Sequence, residues 1–194
     1  MTCEVCGAET QAGSRGRKPR FCSGRCRVAA HRQANREQVL PADLRERDRW
    51  IRHEAKRPMS VAGVWISVTD DEKWSDFDSA INAVSGDGVG FVLNGDGVVC
   101  IDLDDVVEDG VVSDQAQALI DSLPETYIEF SPSGRGLHVW GYGSVERGRR
   151  FEHNGMKVEV YGDGRYLTVT GQKYGVTHKR SRLAELDLTG LIPA

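Results

Sequence analysis

The sequence predicts an α+β fold in which helices pack on a mixed or antiparallel sheet, with a small metal-binding knuckle and a helix at the N-terminus. Short β-forming runs such as GVGFVL, GVVCIDLD and MKVEVY are separated by glycine-rich turns. Two other segments, WSDFDSAINAV and SDQAQALIDSL, have apolar residues at helical spacing, and Ser75 is the predicted N-cap of the first. Strands and turns accompanied by two or three helices are typical of α+β domains.

The chain length suits one ordinary domain with a small appendage, since it is 194 residues long. Pro41 is expected to end the first helix or open the next segment, which places the boundary near residues 37–43. We therefore predict a knuckle with a basic helix in residues 1–40 and a larger domain in residues 41–194. Inside the larger domain, the run NGDG between GVGFVL and GVVCIDLD predicts a β-hairpin.

Neither a membrane span nor a secretion signal is expected. No apolar run approaches the roughly 18 residues that a spanning helix needs. The first residues, MTCEVCGAET, lack the basic start and apolar core of a signal peptide. We expect a cytoplasmic protein without a membrane partner, in a compartment where paired cysteines more often hold metal than form disulfides.

Four of the five cysteines form two close pairs near the N-terminus, as C-x2-C, fifteen residues and C-x3-C. Two such pairs supply the four soft ligands that tetrahedral zinc prefers, so we predict one structural zinc ion. Four unrelated thiols or a redox pair are the alternatives, and His31 is a possible substitute ligand. Cys100 stands alone in a β-forming run and is expected to be a buried strand residue. The predicted ligands are Cys3, Cys6, Cys22 and Cys26.

Charge is distributed unevenly along the chain. Residues 1–57 carry a net charge of +7, residues 67–129 a net −15 and residues 130–194 a net +4. Solvated faces are one interpretation of such runs, but a basic segment also binds phosphates and a concentrated acidic one gathers divalent cations. Residues 1–36, which we call the basic arm, carry a net +6. The predicted DNA-contacting residues of the arm are Arg15, Arg17, Lys18 and Arg20.

Three acidic residues occupy strand-like contexts. Asp102 and Asp104 follow a run of apolar residues at i, i+2, and alternate side chains of a strand share a face. Glu159 alternates with two valines in MKVEVY, so it lies on the opposite face of its strand from them. Carboxylates that share a face repel one another unless they share a cation, and hard oxygen ligands favour Mg²⁺ or Mn²⁺.

A glycine-rich turn enters a strand at SPSGRGLHVW, between the two acidic strands. Backbone amides, hydroxyls, a guanidinium and an imidazole together suit a polyphosphate, although such a turn alone is usually only a turn and a lone histidine is usually a packed one. The candidate phosphate contacts are Ser131, Ser133, Arg135 and His138.

The series CIDLDD, SPSGRGLHVW and VEVYGDGRYLTVTG resembles the three motifs of the archaeo-eukaryotic primase superfamily. More narrowly, it is similar to the bifunctional primase-polymerase domains of phages and plasmids, over roughly residues 47–172. The resemblance implies the sheet core of that superfamily for residues 41–194, and a template-directed nucleotidyltransferase that serves phage or plasmid DNA replication in the bacterial or phage-infected cytoplasm. A single-stranded DNA template and nucleoside triphosphates would be its partners, with a separate replicative helicase as a further candidate.

The resemblance also implies roles for individual residues. Asp102, Asp104 and Glu159 would hold two divalent ions, Mg²⁺ or Mn²⁺, and with His138 they form the predicted catalytic set. The incoming triphosphate would be contacted by Ser131, Ser133, Arg135, His138 and Arg165. Two other functions remain open at this point: a catalytically inactive, zinc-containing nucleic-acid-binding module, and a metal-dependent nuclease.

Overall fold

The computed structural model describes residues 2–10, 19–28, 30, 40–175 and 182–193. They belong to two compact units, residues 1–38 and residues 39–194. Of the predicted residues, Arg15, Arg17, Lys18 and His31 lie outside the described part of the chain. No described helix is long and apolar enough to cross a membrane.

The first unit contains a small turn closed by backbone hydrogen bonds. Thr2 forms an antiparallel bridge with Glu9, and the Cys3 amide donates to the Ala8 carbonyl at 2.7 Å. Residues 24–28 are helical, and the Ser23 hydroxyl accepts a hydrogen bond from the Cys26 amide at 3.2 Å. The two cysteine pairs therefore lie on a tight turn and at the start of a helical segment.

The second unit contains three short α-helices and twelve strands among its described residues. The helices are α1 (Ala42–Arg45), α2 (Phe77–Asn82) and α3 (Asp114–Ser122). The strands are β1 (Trp50–Glu54), β2 (Arg57–Met59), β3 (Gly88–Asn94), β4 (Val98–Asp104), β5 (Val107–Glu108), β6 (Val111–Val112), β7 (Tyr127–Phe130), β8 (Leu137–Tyr142), β9 (Arg149–His153), β10 (Met156–Tyr161), β11 (Asp163–Val169) and β12 (Ala184–Glu185).

These strands form two main sheets. One has the order β11-β3-β1-β2; the other has the order β12-β8-β4-β10-β9, with β7 also paired to β8. A separate two-stranded ribbon joins β5 and β6. The pairings among these strands are antiparallel except for the parallel contact between β12 and β8. The predicted α+β class with a mixed, mainly antiparallel sheet and packing helices is confirmed.

The six-stranded sheet separates two hydrophobic clusters. On one face, Cys100 and Trp140 belong to a core that includes Trp50 and Phe91 of the four-stranded sheet. On the other face, Ile101 and its neighbours pack with α3 and the C-terminal leucines. Cys100 is fully buried, as a strand residue was expected to be. Because alternate residues of a strand face opposite sides, β4 contributes to both clusters and is buried along most of its length.

Two local predictions were wrong. The NGDG segment does not close a hairpin, since β3 pairs with β1 and β11 while β4 pairs with β8 and β10. The segment instead carries the chain from one sheet to the other. Asp76, not Ser75, caps α2 and accepts a hydrogen bond from the Ser79 amide at 2.8 Å. Ser75 forms a backbone bridge with Trp50 because the segment before α2 is extended.

Candidate active site

Two of the three predicted acids, Asp102 and Glu159, lie with the predicted histidine in one row across the larger sheet. Direct cross-strand partners run from Arg150 on β9 to Glu159 on β10, Asp102 on β4, His138 on β8 and Glu129 on β7. Residues directly opposite each other on neighbouring strands share a face of the sheet. The register therefore brings together residues that are up to 57 positions apart in the sequence. At each end of the row a basic group lies beside an acidic one: Arg150 beside Glu159, and His138 beside Glu129.

Asp104 stands two residues beyond Asp102 on the same face of β4, opposite Lys157 of β10. The carboxylates of Asp102, Asp104 and Glu159 share a side of the sheet, but they are not packed into a tight cluster. Within the described residues, only the four N-terminal cysteines form a set of three or more ligand atoms that all lie within 4.8 Å of one another. The acids therefore form an open arrangement at the end of β4.

Burial raises the pKa of Asp102, and the carboxylates of Asp104 and Glu159 add to that effect. His138 and Arg165 oppose it without cancelling it. A half-buried carboxylate beside two others is destabilised in its charged form, because it has lost water and gained like-charged neighbours. A cation at this position would relieve both costs, so the oxygen donors and their electrostatics fit a divalent ion.

Glu159 has a counter-charge in the structure. Its Oε1 lies 2.8 Å from Nε of Arg150, and its Oε2 accepts a hydrogen bond from the Tyr161 hydroxyl at 2.5 Å. The guanidinium of Arg165 stacks over the Tyr161 ring, 4.3 Å from its centroid. Arg165, expected near the triphosphate, is therefore held beside the acidic row.

His138 is buried between two acids. Its Nε2 lies 3.7 Å from Oδ1 of Asp102, and its Nδ1 lies 3.5 Å from Oε1 of Glu129. Burial lowers the pKa of His138, but Glu129, Asp102 and the Thr168 backbone more than offset that effect, so the pKa is raised overall. The imidazole is therefore biased toward the cation, which can donate hydrogen bonds to an anionic group.

The SPSGRG turn packs against β4 and holds its own hydroxyls. The Ser131 hydroxyl accepts from the Gly136 amide at 3.1 Å and lies 3.1 Å from the Ser133 hydroxyl. A Cβ on Gly136 would lie 2.6 Å from the Leu103 carbonyl oxygen, so only glycine allows this approach. Arg135 forms an exposed ion pair with Asp105, the acid next to the pair on β4. The turn thus places Arg135 beside Asp105, at the end of β4.

The four N-terminal cysteines form a cluster within the first unit. Their ligand atoms all lie within 4.8 Å of one another, and the Sγ–Sγ distances are 3.5 Å for Cys6–Cys22, 3.5 Å for Cys22–Cys26 and 3.7 Å for Cys26–Cys6. A tetrahedron with Zn–S bonds of 2.3 Å has edges of about 3.8 Å. The sulfurs are too far apart for disulfides and close to the spacing of a tetrahedral metal site.

The thiols of this cluster differ in acidity. A hydrogen bond from the Cys22 backbone lowers the pKa of Cys3 to about 6. The neighbouring sulfurs of Cys6 and Cys26 raise the pKa of Cys22 to about 12. Several thiolates repel one another at this spacing, whereas a bound cation would favour their ionised forms. The cluster is therefore compatible with zinc.

The sequence did not identify Glu129 or Arg150 as parts of the row, or Tyr161 as a hydrogen-bond partner of Glu159. Glu129 could have been found by the argument applied to Glu159, because it also interrupts apolar residues in a short strand, TYIEFS. The position of Glu129 opposite His138 could not have been found in this way, since the pairing of β7 with β8 follows from the fold. Arg150 lies in β9, a strand that its polar sequence RRFEH did not indicate.

Comparison with known proteins gives two findings. The profile of the Prim-Pol family, described as the N-terminal region of bifunctional DNA primase/polymerases, matches residues 29–189. The chain belongs to this family, which confirms the predicted resemblance. It is also similar to the DNA primase-polymerase of Nitratiruptor phage NrS-1, with 37% identity over 137 residues. That match covers 66% of this chain and 18% of the phage protein, so the chain spans only a small part of its relative.

Proposed function

We propose that this chain is the catalytic core of a DNA primase-polymerase that adds nucleotides to a strand paired with a single-stranded DNA template. The observation that carries the proposal is the row in which Glu159, Asp102 and His138 are direct cross-strand neighbours. Membership of the Prim-Pol family supports the same activity. Since the similar protein belongs to a phage, we propose that the chain serves phage DNA replication in the cytoplasm of a bacterial cell.

The acids would act as the ligands of divalent cations. Asp102, Asp104 and Glu159 offer hard oxygen atoms on one face, which suits two ions of Mg²⁺ or Mn²⁺. Such ions would lower the pKa of the attacking hydroxyl and neutralise the leaving pyrophosphate. Arg150 balances the charge of Glu159 at 2.8 Å, so the protein itself supplies one cation at the outer end of the row.

The groups around the acids would bind the nucleoside triphosphate. His138 turns Nε2 toward Asp102, and Arg165 lies close enough to lower the pKa of that acid. Ser131, Ser133 and Arg135 occupy the turn at the end of β4, although the Ser131 hydroxyl is already engaged within the turn. Charge-assisted hydrogen bonds from arginine and imidazolium suit phosphate oxygens. No side-chain nucleophile is required.

The activity can be tested with the purified chain, a single-stranded DNA template, Mg²⁺ or Mn²⁺ and labelled nucleoside triphosphates. We expect template-dependent extension of a primer, or synthesis of a new one, seen as longer labelled products on a denaturing gel. Cleavage of the template without synthesis would indicate a metal-dependent nuclease. Binding without either reaction would indicate a catalytically inactive nucleic-acid-binding module.

We propose that the cysteine cluster holds one structural zinc ion and that the basic arm contacts the template. The acidic stretch that contains Asp102 and Asp104 repels a polyanion, so basic surface elsewhere must help to hold it. Arg20 is already paired with Glu4, with N–O distances of 2.8 and 2.7 Å. Arg15, Arg17 and Lys18 are the other candidates for phosphate contacts.

Replacing Arg15, Arg17 and Lys18 together with glutamine should weaken template binding and reduce its salt dependence. Each lost phosphate contact lowers the slope of log affinity against log salt by about 0.7 for single strands. Fluorescence anisotropy across a salt series measures both quantities. The exposed Arg147 and Arg149, in and next to β9, are a second basic surface that could hold the template, and replacing them with glutamine measures their share of the same binding. An unchanged slope in the arm variant would instead indicate that the knuckle docks a protein, such as a replicative helicase.

A further inference from the structure

Glu129 is a buried acid that the proposed mechanism does not use. It lies in β7 and its relative exposure is 0%. One carboxylate oxygen, Oε2, is surrounded by donors: the Tyr127 hydroxyl at 2.8 Å, the Thr170 amide at 3.1 Å and the Gly171 amide at 2.7 Å. The Thr170 hydroxyl also lies 3.1 Å away, although its single proton can go instead to the Phe130 carbonyl at 2.7 Å.

The other oxygen, Oε1, faces His138. It lies 3.5 Å from Nδ1, and neither atom has a hydrogen bond of normal geometry to any other described group. A fully buried acceptor and a buried ring nitrogen that face each other in this way are costly unless a proton lies between them. Functional hydrogen bonds are often long in the absence of substrate and shorten when it binds.

We propose that Glu129 is a positioning residue for His138: its carboxylate keeps a proton on Nδ1 and so turns Nε2 toward Asp102 and the bound nucleotide. The hydrogen bond at one ring nitrogen sets the protonation of the other and the orientation of the ring. The effect of this ring orientation on nucleotide binding rests on the proposed function. The proton position does not, because it is a property of the free protein.

The substitution Glu129→Gln separates this role from a structural one. The site of Oε2 is surrounded by donors, so the glutamine must place its carbonyl oxygen there and keep the hydrogen bonds to residues 170 and 171. Its amide NH₂ then occupies the place of Oε1 and points at Nδ1 of His138. Two donors cannot face each other, so Nδ1 must lose its proton and become an acceptor, and the proton that remains on the ring must lie on Nε2.

Nitrogen-15 NMR of the histidine side chains in the full chain reports which ring nitrogen carries the proton. We expect Nδ1 of His138 to be protonated in the wild type and unprotonated in Glu129→Gln, with His138→Ala identifying the resonance. The exposed β5 variant Glu108→Gln should leave the signal unchanged. An unprotonated Nδ1 in the wild type would by itself overturn the proposal. A proton on the same ring nitrogens in the wild type and in Glu129→Gln would also overturn it.

Kinetics provide the second readout. We expect Glu129→Gln to raise the nucleotide KM by roughly 10–100-fold, by analogy with the loss of a residue that orients a metal-bound histidine, with a much smaller change in kcat. In a His138→Ala background the same substitution should have no further effect, because residues that act through each other are not additive. Equal, additive losses in both backgrounds would mean that Glu129 only anchors residues 170 and 171. If the wild type incorporates no nucleotide, the proposed activity fails while the NMR result still decides the role of Glu129.

Discussion

Asp102→Asn should abolish nucleotide incorporation while leaving the fold intact. Asp102 stands at the centre of the row, directly opposite both Glu159 and His138. Removing its charge removes a ligand from the proposed ion site, and metal ions contribute several kcal/mol to stabilising charge in a transition state. We therefore expect at least about a 10³-fold loss of incorporation rate, and a similar loss in Asp104→Asn. Primer extension under single-turnover conditions measures this.

Asp102→Asn should also change the thermal stability of the protein. Burial raises the pKa of Asp102, and Asp104 and Glu159 add to this despite the opposing effect of His138. The stabilising contribution of such a group is present below its unfolded pKa and is lost as the pH rises through its raised folded pKa. In a chelating buffer, Asp102→Asn should therefore melt at the same or a higher temperature than wild type at neutral pH, and the difference should vanish in acid.

Addition of Mn²⁺ completes this test. The wild type should gain thermal stability, because an ion that binds only the folded state stabilises it, while Asp102→Asn should gain less. Asp109→Asn is the matched control, since Asp109 is exposed and its φ of 50° suits asparagine as well as aspartate. Near-wild-type extension by Asp102→Asn, with a normal melting curve, would contradict the assignment of Asp102 as a metal ligand.

Removing zinc should unfold the N-terminal unit without unfolding the larger one. Residues 1–38 form a unit too small for a self-sufficient hydrophobic core. A structural zinc ion in such a unit contributes about 10–16 kcal/mol of binding free energy that is also folding energy. Metal analysis of the purified chain should find about one zinc per chain. After chelation, proteolysis should cut the first 40 residues much faster, while residues 41–194 keep their melting transition.

The thiols provide the control for the zinc prediction. With zinc bound, a thiol reagent should react slowly with all cysteines, and after chelation the four N-terminal ones should become reactive. Cys100 should stay protected, because it is fully buried in β4 and burial raises its pKa well above the ordinary value. Cys22→Ser should lose the metal, whereas Cys100→Ala should keep it. Protein that contains no zinc and has four freely reactive thiols would show that the cluster was misinterpreted.

Several features of this protein were determined by local sequence alone. The spacing of the cysteines predicts a compact ligand set, and their sulfurs do lie within 4.8 Å of one another. Strand alternation predicts that Asp102 and Asp104 share a face, because that depends only on the period of two along one strand. The run SDQAQALIDSL forms α3, and Ser113 caps it by accepting a hydrogen bond from the Ala116 amide. Each of these depends on residues a few positions apart.

Only the tertiary structure decided which strands are neighbours. The NGDG segment has the composition of a hairpin turn, yet β3 and β4 enter different sheets, because each strand pairs with strands that are distant in sequence. The same register places Glu129 beside His138 and Arg150 beside Glu159. Alternation assigns a side chain to a face, but the packing of two sheets around a shared core selects its cross-strand partner. For that reason the sequence identified the acids and the histidine, and the fold added the buried glutamate that faces the histidine.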